Sequence, residues 1–246
     1  MHLTIDIGNT RTKLVAFDGG EPVAWRVCEG QDVSQAPLFA EEHGCHSAIL
    51  CAVRDVDAEG EASLRRLACP LLRLTASTPT PLVCRYRTPA TLGADRLAAA
   101  VGAWKTQPGH NLLVIDSGSC ITFDFVTDKG EYVGGNISLG LHARLRAVDL
   151  LFPRLPKVEA EGDIPELGYD TETAIRAGVI EGMRHEMEGY VRHFRSKYAD
   201  LLVFLTGGDE FRLAETIKSC IFADPFIVPR GLEAILSYNE NDRAST

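Results

Sequence analysis

Within eight positions near its start the chain holds Asp6, Gly8, Asn9, Thr10, Thr12 and Lys13, residue types whose joint chemistry is phosphate binding. Backbone N–H groups from Gly8 to Thr10, hydroxyls of Thr10 and Thr12, and the Lys13 ammonium can converge on one small anion. A carboxylate beside such a nest holds Mg2+, usually through water, and Mg2+ next to a phosphate nest points to a nucleotide. The same residues would also serve an ordinary hairpin with solvated polar side chains. What positions them is a strand in which Leu3, Ile5 and Ile7 alternate with Thr4 and Asp6. It delivers the carboxylate to its carboxyl end, where Gly8 allows a tight turn into a second apolar run, Leu14 to Phe17.

The pattern occurs twice without a gap. Asp116, Gly118 and Thr122 each lie 110 positions after Asp6, Gly8 and Thr12, and the match runs on through the second strands to Glu21 and Glu131. Two copies of a strand, an acidic turn and a hairpin imply two similar domains with a nucleotide between them. A further constellation, Gly93-Ala94-Asp95-Arg96, opens a helix whose Leu97, Ala100, Val101 and Trp104 share one face. Asp95 reads either as a partner of the helix dipole or as a general base presented by a rigid helix.

Between these motifs the expected elements are a third strand over 22–28, a helix over 34–43, a strand over 47–53, a helix over 58–68 and a short strand over 71–74. Residues 75–92, with Pro79, Pro81 and Pro89, read as turns carrying Tyr86. Gly134 to Gly140 reads as a glycine-rich joint before a helix to about Leu151, where backbone either approaches a ligand or merely turns. A long loop with Pro153, Pro156 and Pro165 precedes a helix capped by Thr171, whose Ile175, Val179, Met183, Met187 and Val191 form an apolar stripe. A strand over 201–205 enters Thr206-Gly207-Gly208-Asp209 and a helix to about Ser219, a generic place for ribose, phosphate or adenine. A last strand to about Val228, a helix over 231–238 and a frayed polar tail close the chain.

The composition narrows the class. A net charge of −9, with pI about 5.3, disfavours nonspecific binding to nucleic acid or to anionic membranes. Seven cysteines without a C-x-x-C pair read as reduced thiols, and no signal or spanning stretch is visible, so a cytoplasmic protein is expected. His185 and His193 lack partners at ligand spacing, and His43 and His46 read as a solvated helix end.

Taken together, Asp6-x-Gly8-Asn9-Thr10-x-x-Lys13, Gly93-x-Asp95-Arg96 with Tyr86 upstream, Asp116-x-Gly118-Ser119, Gly134-Gly135-x-Ile137 and Thr206-Gly207-Gly208 resemble the type III pantothenate kinases. These belong to the superfamily of acetate and sugar kinases, heat-shock ATPases and actin. The resemblance covers nearly the whole chain. It implies an α/β fold of two duplicated ribonuclease H-like (actin-like ATPase) domains, 1–107 and 108–246, with mixed sheets flanked by helices and a nucleotide cleft. It implies ATP, Mg2+ and a monovalent cation, K+ or NH4+, as cofactors, and pantothenate as substrate.

By the same resemblance Asp95 is the base, while Tyr86, Gly93, Ala94 and Arg96 hold pantothenate. Asp6, Ile7, Gly8, Asn9, Thr10, Arg11, Thr12 and Lys13 hold the ATP phosphates, Asp6 with Mg2+. Ser119 touches the nucleotide, Asp116 binds the monovalent cation, and Thr171 reaches the partner's substrate in a homodimer with composite sites. The sequence departs from the family pattern at Ser119 (for threonine), Asp170 (for asparagine) and Leu139 (for proline), the last leaving a less constrained loop. Two other readings remain at this stage: a noncatalytic regulator on the same scaffold, and a different small-molecule kinase of the superfamily.

Overall fold

The computed structural model describes residues 1–208 and 222–244, and the helix expected from Asp209 to about Ser219 lies outside them. The mixed α/β class is borne out by two sheets flanked by helices. The first sheet is built from β1 (His2–Ile7), β2 (Arg11–Asp18), β3 (Glu21–Glu29), β4 (Ser47–Ala52) and β5 (Leu71–Arg73). Their order is β3-β2-β1-β4-β5. β1 pairs antiparallel with β2 and parallel with β4, so Asp6 has Lys13 opposite on one side and Cys51 on the other.

Strand alternation decides what each face of this sheet does. Leu3, Ile5, Ile7, Leu14 and Ala16, all fully buried, join Ala36, Phe39 and Ala40 of α1 (Ala36–Glu42) and Leu64 of α2 (Ala58–Leu64) in one apolar cluster. The opposite face carries Asp6, Lys13 and Cys51. It is covered by α3 (Ala94–Thr106) and by the final helix, α6 (Ile227–Ala244), numbered after α4 (Leu141–Leu151) and α5 (Thr171–Arg195). α3 buries small residues at Ala98–Ala100, Gly102 and Ala103 beside Leu97 and Val101, and α6 packs closely against it at two glycines. A β-carbon on Gly231 would run into the Ala98 carbonyl, and one on Gly102 into the Ile227 carbonyl.

The second sheet has the order β11-β10-β7-β8-β9-β6. Its strands are β6 (Val83–Cys84), β7 (Leu112–Ser117), β8 (Cys120–Val126), β9 (Glu131–Leu139), β10 (Leu202–Thr206) and β11 (Phe222–Ala223). The chain divides into two compact units: Met1–His110 with Phe125–Gly134 and Phe226–Thr246, and Asn111–Asp124 with Gly135–Pro225. Within the second unit β10 runs parallel to both β7 and β11, and Phe123 stacks on Tyr190 of α5 at 4.0 Å. Met183 and Met187 are fully buried, as the apolar stripe requires.

Three local expectations change. The last strand stops at Ala223, and Ile227 and Val228 instead open α6; buried against the helices, these β-branched residues start a helix whose Pro229 falls in the first turn, where no N–H is needed. Polar residues read as a frayed tail are helical to Ala244, held in part by Asn239 Nδ2 donating to the Pro79 carbonyl at 2.9 Å. Finally, the turn-rich stretch over 75–92 contains β6, which pairs parallel with Glu131–Tyr132 and so fixes where Tyr86 goes.

The glycine contact between α3 and α6 is testable by urea unfolding. Gly231→Leu is expected to cost about 3 kcal/mol. Gly178→Ala, on α5 with open space around it, should add roughly 0.5–1 kcal/mol. An unchanged midpoint for Gly231→Leu would contradict the close approach.

Candidate active site

Asp6 reaches the carboxyl end of β1 because the alternation that buries Ile5 and Ile7 turns it to the other face, where it is half-buried. The chain then reverses at once: Gly8 N donates to the Arg11 carbonyl at 3.0 Å, and a side chain at position 8 would sit 3.2 Å from that oxygen. Asn9, Thr10 and Arg11 are exposed at the tip, and Lys13 stands opposite Asp6 on β2. Two residues of the expected phosphate set face elsewhere. Ile7 is fully buried in the apolar cluster, and Thr12, its strand partner, donates its hydroxyl to the Gly30 carbonyl at 2.9 Å. Arg54, which the sequence reading missed, donates from Nε to Asn9 Oδ1 at 3.1 Å. Its only signal was a position just past β4, the parallel neighbour of β1.

Asp95 lies in the first turn of α3, behind the N-cap Gly93. Its Oδ1 accepts from the Arg96 N–H at 2.9 Å, so the reading as a partner of the helix amino terminus holds for that oxygen. A β-carbon on Gly93 would lie 2.5 Å from the same Oδ1, which is why glycine precedes it by two. Oδ2 makes no hydrogen bond among the described residues. Arg96 is buried, with its guanidinium 5.9 Å from the centre of the Tyr86 ring. Tyr86 in turn leans on Tyr132 and passes close to Gly134, whose φ of +140° is one that L side chains rarely adopt.

One buried thiol links the two carboxylates. Cys51, beside Asp6 in the parallel register, is pushed well above the usual thiol range, first by burial and then by the negative charges of Asp6 and Asp95. Asp6 and Asp95 therefore act on one point of the same sheet face, although 89 residues separate them in the sequence. Two carboxylates and a nearby Lys13 form a place where a cation and a phosphate are both welcome.

In the second unit Asp116 is half-buried at the end of β7, opposite Thr206 of β10. Gly118 N donates to the Cys120 carbonyl at 2.9 Å, in a turn one residue shorter than the one at Gly8, and Ser119 is exposed. Gly140 N donates to the Ser119 carbonyl at 3.1 Å, and Gly207, with φ of +110°, lies against the Ser117 backbone; neither glycine has room for a side chain. Gly134 to Leu139 are part of β9 rather than a loop, and only Gly140 meets this turn. Thr171 is the first residue of α5, not its cap. Asp170 caps, its Oδ1 accepting from Thr173 N at 2.8 Å while the Thr173 hydroxyl accepts from Asp170 N at 3.1 Å. Asp170, Thr171, Tyr169, Leu155 and Ile175 line an open hollow of about 560 Å³.

Residues 2–193 match the model of the family described as type III pantothenate kinase. The chain is 46% identical over 240 residues to the type III pantothenate kinase of Phocaeicola vulgatus, with 98% of this chain and 99% of that one covered. It is also 46% identical over 239 residues to that of Bacteroides fragilis (strain ATCC 25285), with 97% and 98% covered. The chain belongs to the type III pantothenate kinase family. Solved structures agree on the fold alone. A protein from Campylobacter jejuni described as a Baf family transcriptional activator superposes with a TM-score of 0.62 at 22% identity, over 97% of this chain and 99% of that one. A ROK family glucokinase from Streptomyces griseus, solved with glucose and AMPPNP, gives 0.54 at 12% identity, over 96% and 98%.

Two departures from the pattern of the type III pantothenate kinase family have structural accounts. Leu139 does not leave its stretch loose: Arg144 donates from Nε to the Leu139 carbonyl at 2.7 Å and from Nη2 to Ser138 Oγ at 2.9 Å, and it pairs with Glu186 of α5. Asp170 keeps the cap that asparagine would also supply, and its carboxyl is held below the usual range by the Thr173 N–H and hydroxyl. Stability from a lowered carboxyl is complete above its unfolded value and is lost as pH falls through the folded one. Asp170→Asn should therefore leave the thermal midpoint unchanged at neutral pH and flatten its decline below about pH 4, as read by circular dichroism melts. A steeper acid decline in the variant would contradict this role.

Proposed function

We propose that this chain transfers the γ-phosphoryl group of ATP to the primary hydroxyl of pantothenate, giving 4'-phosphopantothenate, the first step toward coenzyme A. The observation that carries the reading is Asp95 in the first turn of α3, with Oδ1 held by the Arg96 N–H, Oδ2 making no hydrogen bond among the described residues, and the Arg96 guanidinium near the Tyr86 ring. Membership in the type III pantothenate kinase family supplies the substrate.

Phosphoryl transfer through a loose transition state asks little covalent chemistry of a protein; it asks for an aligned nucleophile and compensation of charge on the moving group. Asp95 Oδ2 orients the pantothenate hydroxyl and accepts its proton, while the N–H of Arg96 holds Oδ1 still. Tyr86, Arg96, Gly93 and Ala94 shape the substrate side. The turn from Asp6 to Lys13 receives the ATP phosphates, with Lys13 and the N–H groups of Asn9 and Thr10 as donors and Arg54 steadying Asn9. The hard oxygen donors of Asp6, half-exposed at the strand end, suit Mg2+ held through water, and those of Asp116 suit a monovalent cation, K+ or NH4+. Mg2+, when bound, neutralises charge on the β- and γ-phosphates. Ser119, exposed in its turn, contacts the nucleotide.

A cytoplasmic homodimer completes this reading, with Thr171 reaching the pantothenate site of the partner. What supports it is apolar surface in the second unit: Leu150, Leu151, Phe152, Leu155, Ile164 and Leu167 are exposed, Leu167 at 84%, at the end of α4 and in the loop before α5. Such a concentration marks an interaction surface.

ADP release by the purified protein with MgATP should require pantothenate and should be faster with K+ than with Na+. Asp95→Asn should lower turnover about a hundredfold or more at saturating substrates. Release independent of pantothenate would favour another kinase of the superfamily, and full activity in Asp95→Asn would remove the assigned base.

Light scattering after size exclusion should give twice the mass of one chain. Leu151→Asp with Leu167→Asp should yield monomers whose pantothenate-dependent turnover falls by an order of magnitude or more. Fully active monomers would rule out composite sites.

A further inference from the structure

At the other end of β1 from Asp6, roughly 13 Å away along the strand, lies a cluster that phosphoryl transfer does not use. His2, the first residue of β1, is half-buried between two carboxylates of α6. Its Nδ1 is 3.3 Å from Glu233 Oε1 and its Nε2 is 3.1 Å from Glu240 Oε2. Glu233 is itself buried and fixed, its Oε1 also accepting from Ser237 Oγ at 2.7 Å. The His46 ring, just before β4, stands edge-on to His2 with centroids 5.1 Å apart. One nitrogen of each histidine and one oxygen of Glu240 all lie within 4.8 Å of one another. The sequence reads His46 as part of a solvated helix end; the parallel pairing of β1 with β4 brings it here instead.

This is the arrangement metal sites use. A buried carboxylate behind one imidazole nitrogen fixes the ring and leaves the other nitrogen to face the ion. Two imidazoles and a carboxylate, with one position left to water, are a common ligand set for Zn2+. In such a site neighbouring ligand atoms are about 3.3 Å apart, given bonds of about 2.0–2.1 Å. His2 Nε2 and Glu240 are already at that separation, and His46 is exposed and free to swing in by a rotamer change. A cavity of about 330 Å³ bordered by His2, His46, Asp18, Lys105 and Glu233 gives room for the ion and its water. The positive charges facing the cluster are Lys105 and the amino terminus, set against Glu233, Glu240 and Asp18.

We propose that His2, His46 and Glu240 bind one Zn2+ ion, with Glu233 orienting His2 from behind, so that the ion clasps α6 to the amino-terminal ends of β1 and β4. The site is separate from the proposed catalysis and stands or falls independently of it.

The full chain is titrated with Zn2+ by calorimetry and with Co2+ as a spectroscopic probe. One equivalent should bind, with the visible bands of a four-coordinate cobalt site and no thiolate charge-transfer band. His46→Ala, at an exposed position that keeps the fold, should abolish binding, and Glu233→Gln should weaken it about 10- to 100-fold. Zn2+ should raise the thermal midpoint of the wild type and not that of His46→Ala, while kinase turnover of His46→Ala stays at the wild-type level. Absence of binding, binding unchanged by His46→Ala and Glu240→Gln, or a thiolate band from the cysteines would each overturn the proposal. In the first case His2 is an imidazolium held between two carboxylates and nothing more.

Discussion

The backbone contact between Gly102 of α3 and Gly231 of α6 is the constraint on which the first unit depends. Two helices that meet at glycine lie lower on a sheet than side chains would otherwise allow, and α3 reaches the sheet with nothing larger than alanine over Ala98–Ala100. A helix seated so low presents its first turn near the strand ends. Asp95 occupies that turn, and its charge is felt by Cys51 near the carboxyl end of β4. A bulkier residue at either glycine would lift α3 and withdraw Asp95 together with it.

Bringing a second carboxylate to Asp6 has an electrostatic cost, since like charges near an apolar wall repel strongly. The surroundings offset part of it. Lys13 stands across from Asp6 in the antiparallel register, the N–H of Arg96 takes one oxygen of Asp95, and the Arg96 guanidinium lies over the Tyr86 ring rather than in water. The result is a pair of carboxylates set among cationic side chains, at the foot of an exposed turn of backbone donors. A site with those properties is stabilised by a cation and a polyanion arriving together, which is what a metal-bound nucleotide is.

Local chemistry was legible in the sequence wherever one element carried it. The alternation in β1, the glycine turn, the 110-residue repeat and the run Gly93-Ala94-Asp95-Arg96 are all features of short segments, and the structure realises each as an element. The readings that changed are those decided by partners distant in sequence. Thr12 looks like a phosphate ligand until Gly30 takes its hydroxyl, and Ile227 and Val228 look like strand until α3 buries them as helix. At the start of α5 the choice was closer still: Asp170 and Thr171 are both good caps, and the bond to Thr173 decides for the first. Arg54 carried little signal beyond its position just past β4, because its bond to Asn9 depends on the parallel pairing of β1 with β4.

The end of the chain shows how far such long-range terms reach. Read alone, residues 239–244 are polar and lack a strong apolar stripe, so propensity leaves their helix marginal. In the fold they lie beside the first residue of the first strand, where Glu240 meets His2 and Asn239 meets the Pro79 carbonyl. The parallel pairing of β1 with β4 then acts at both ends of the same strand. At the carboxyl end it sets Asp6 beside Cys51, and at the amino end it sets His2 beside His46. One register thus collects negative charge above the apolar sheet at one pole and imidazoles with carboxylates at the other. A slip of one residue would turn Asp6 and His2 together into the apolar cluster under α1 and α2, so the core that buries Leu3, Ile5 and Ile7 is also what keeps both poles in place.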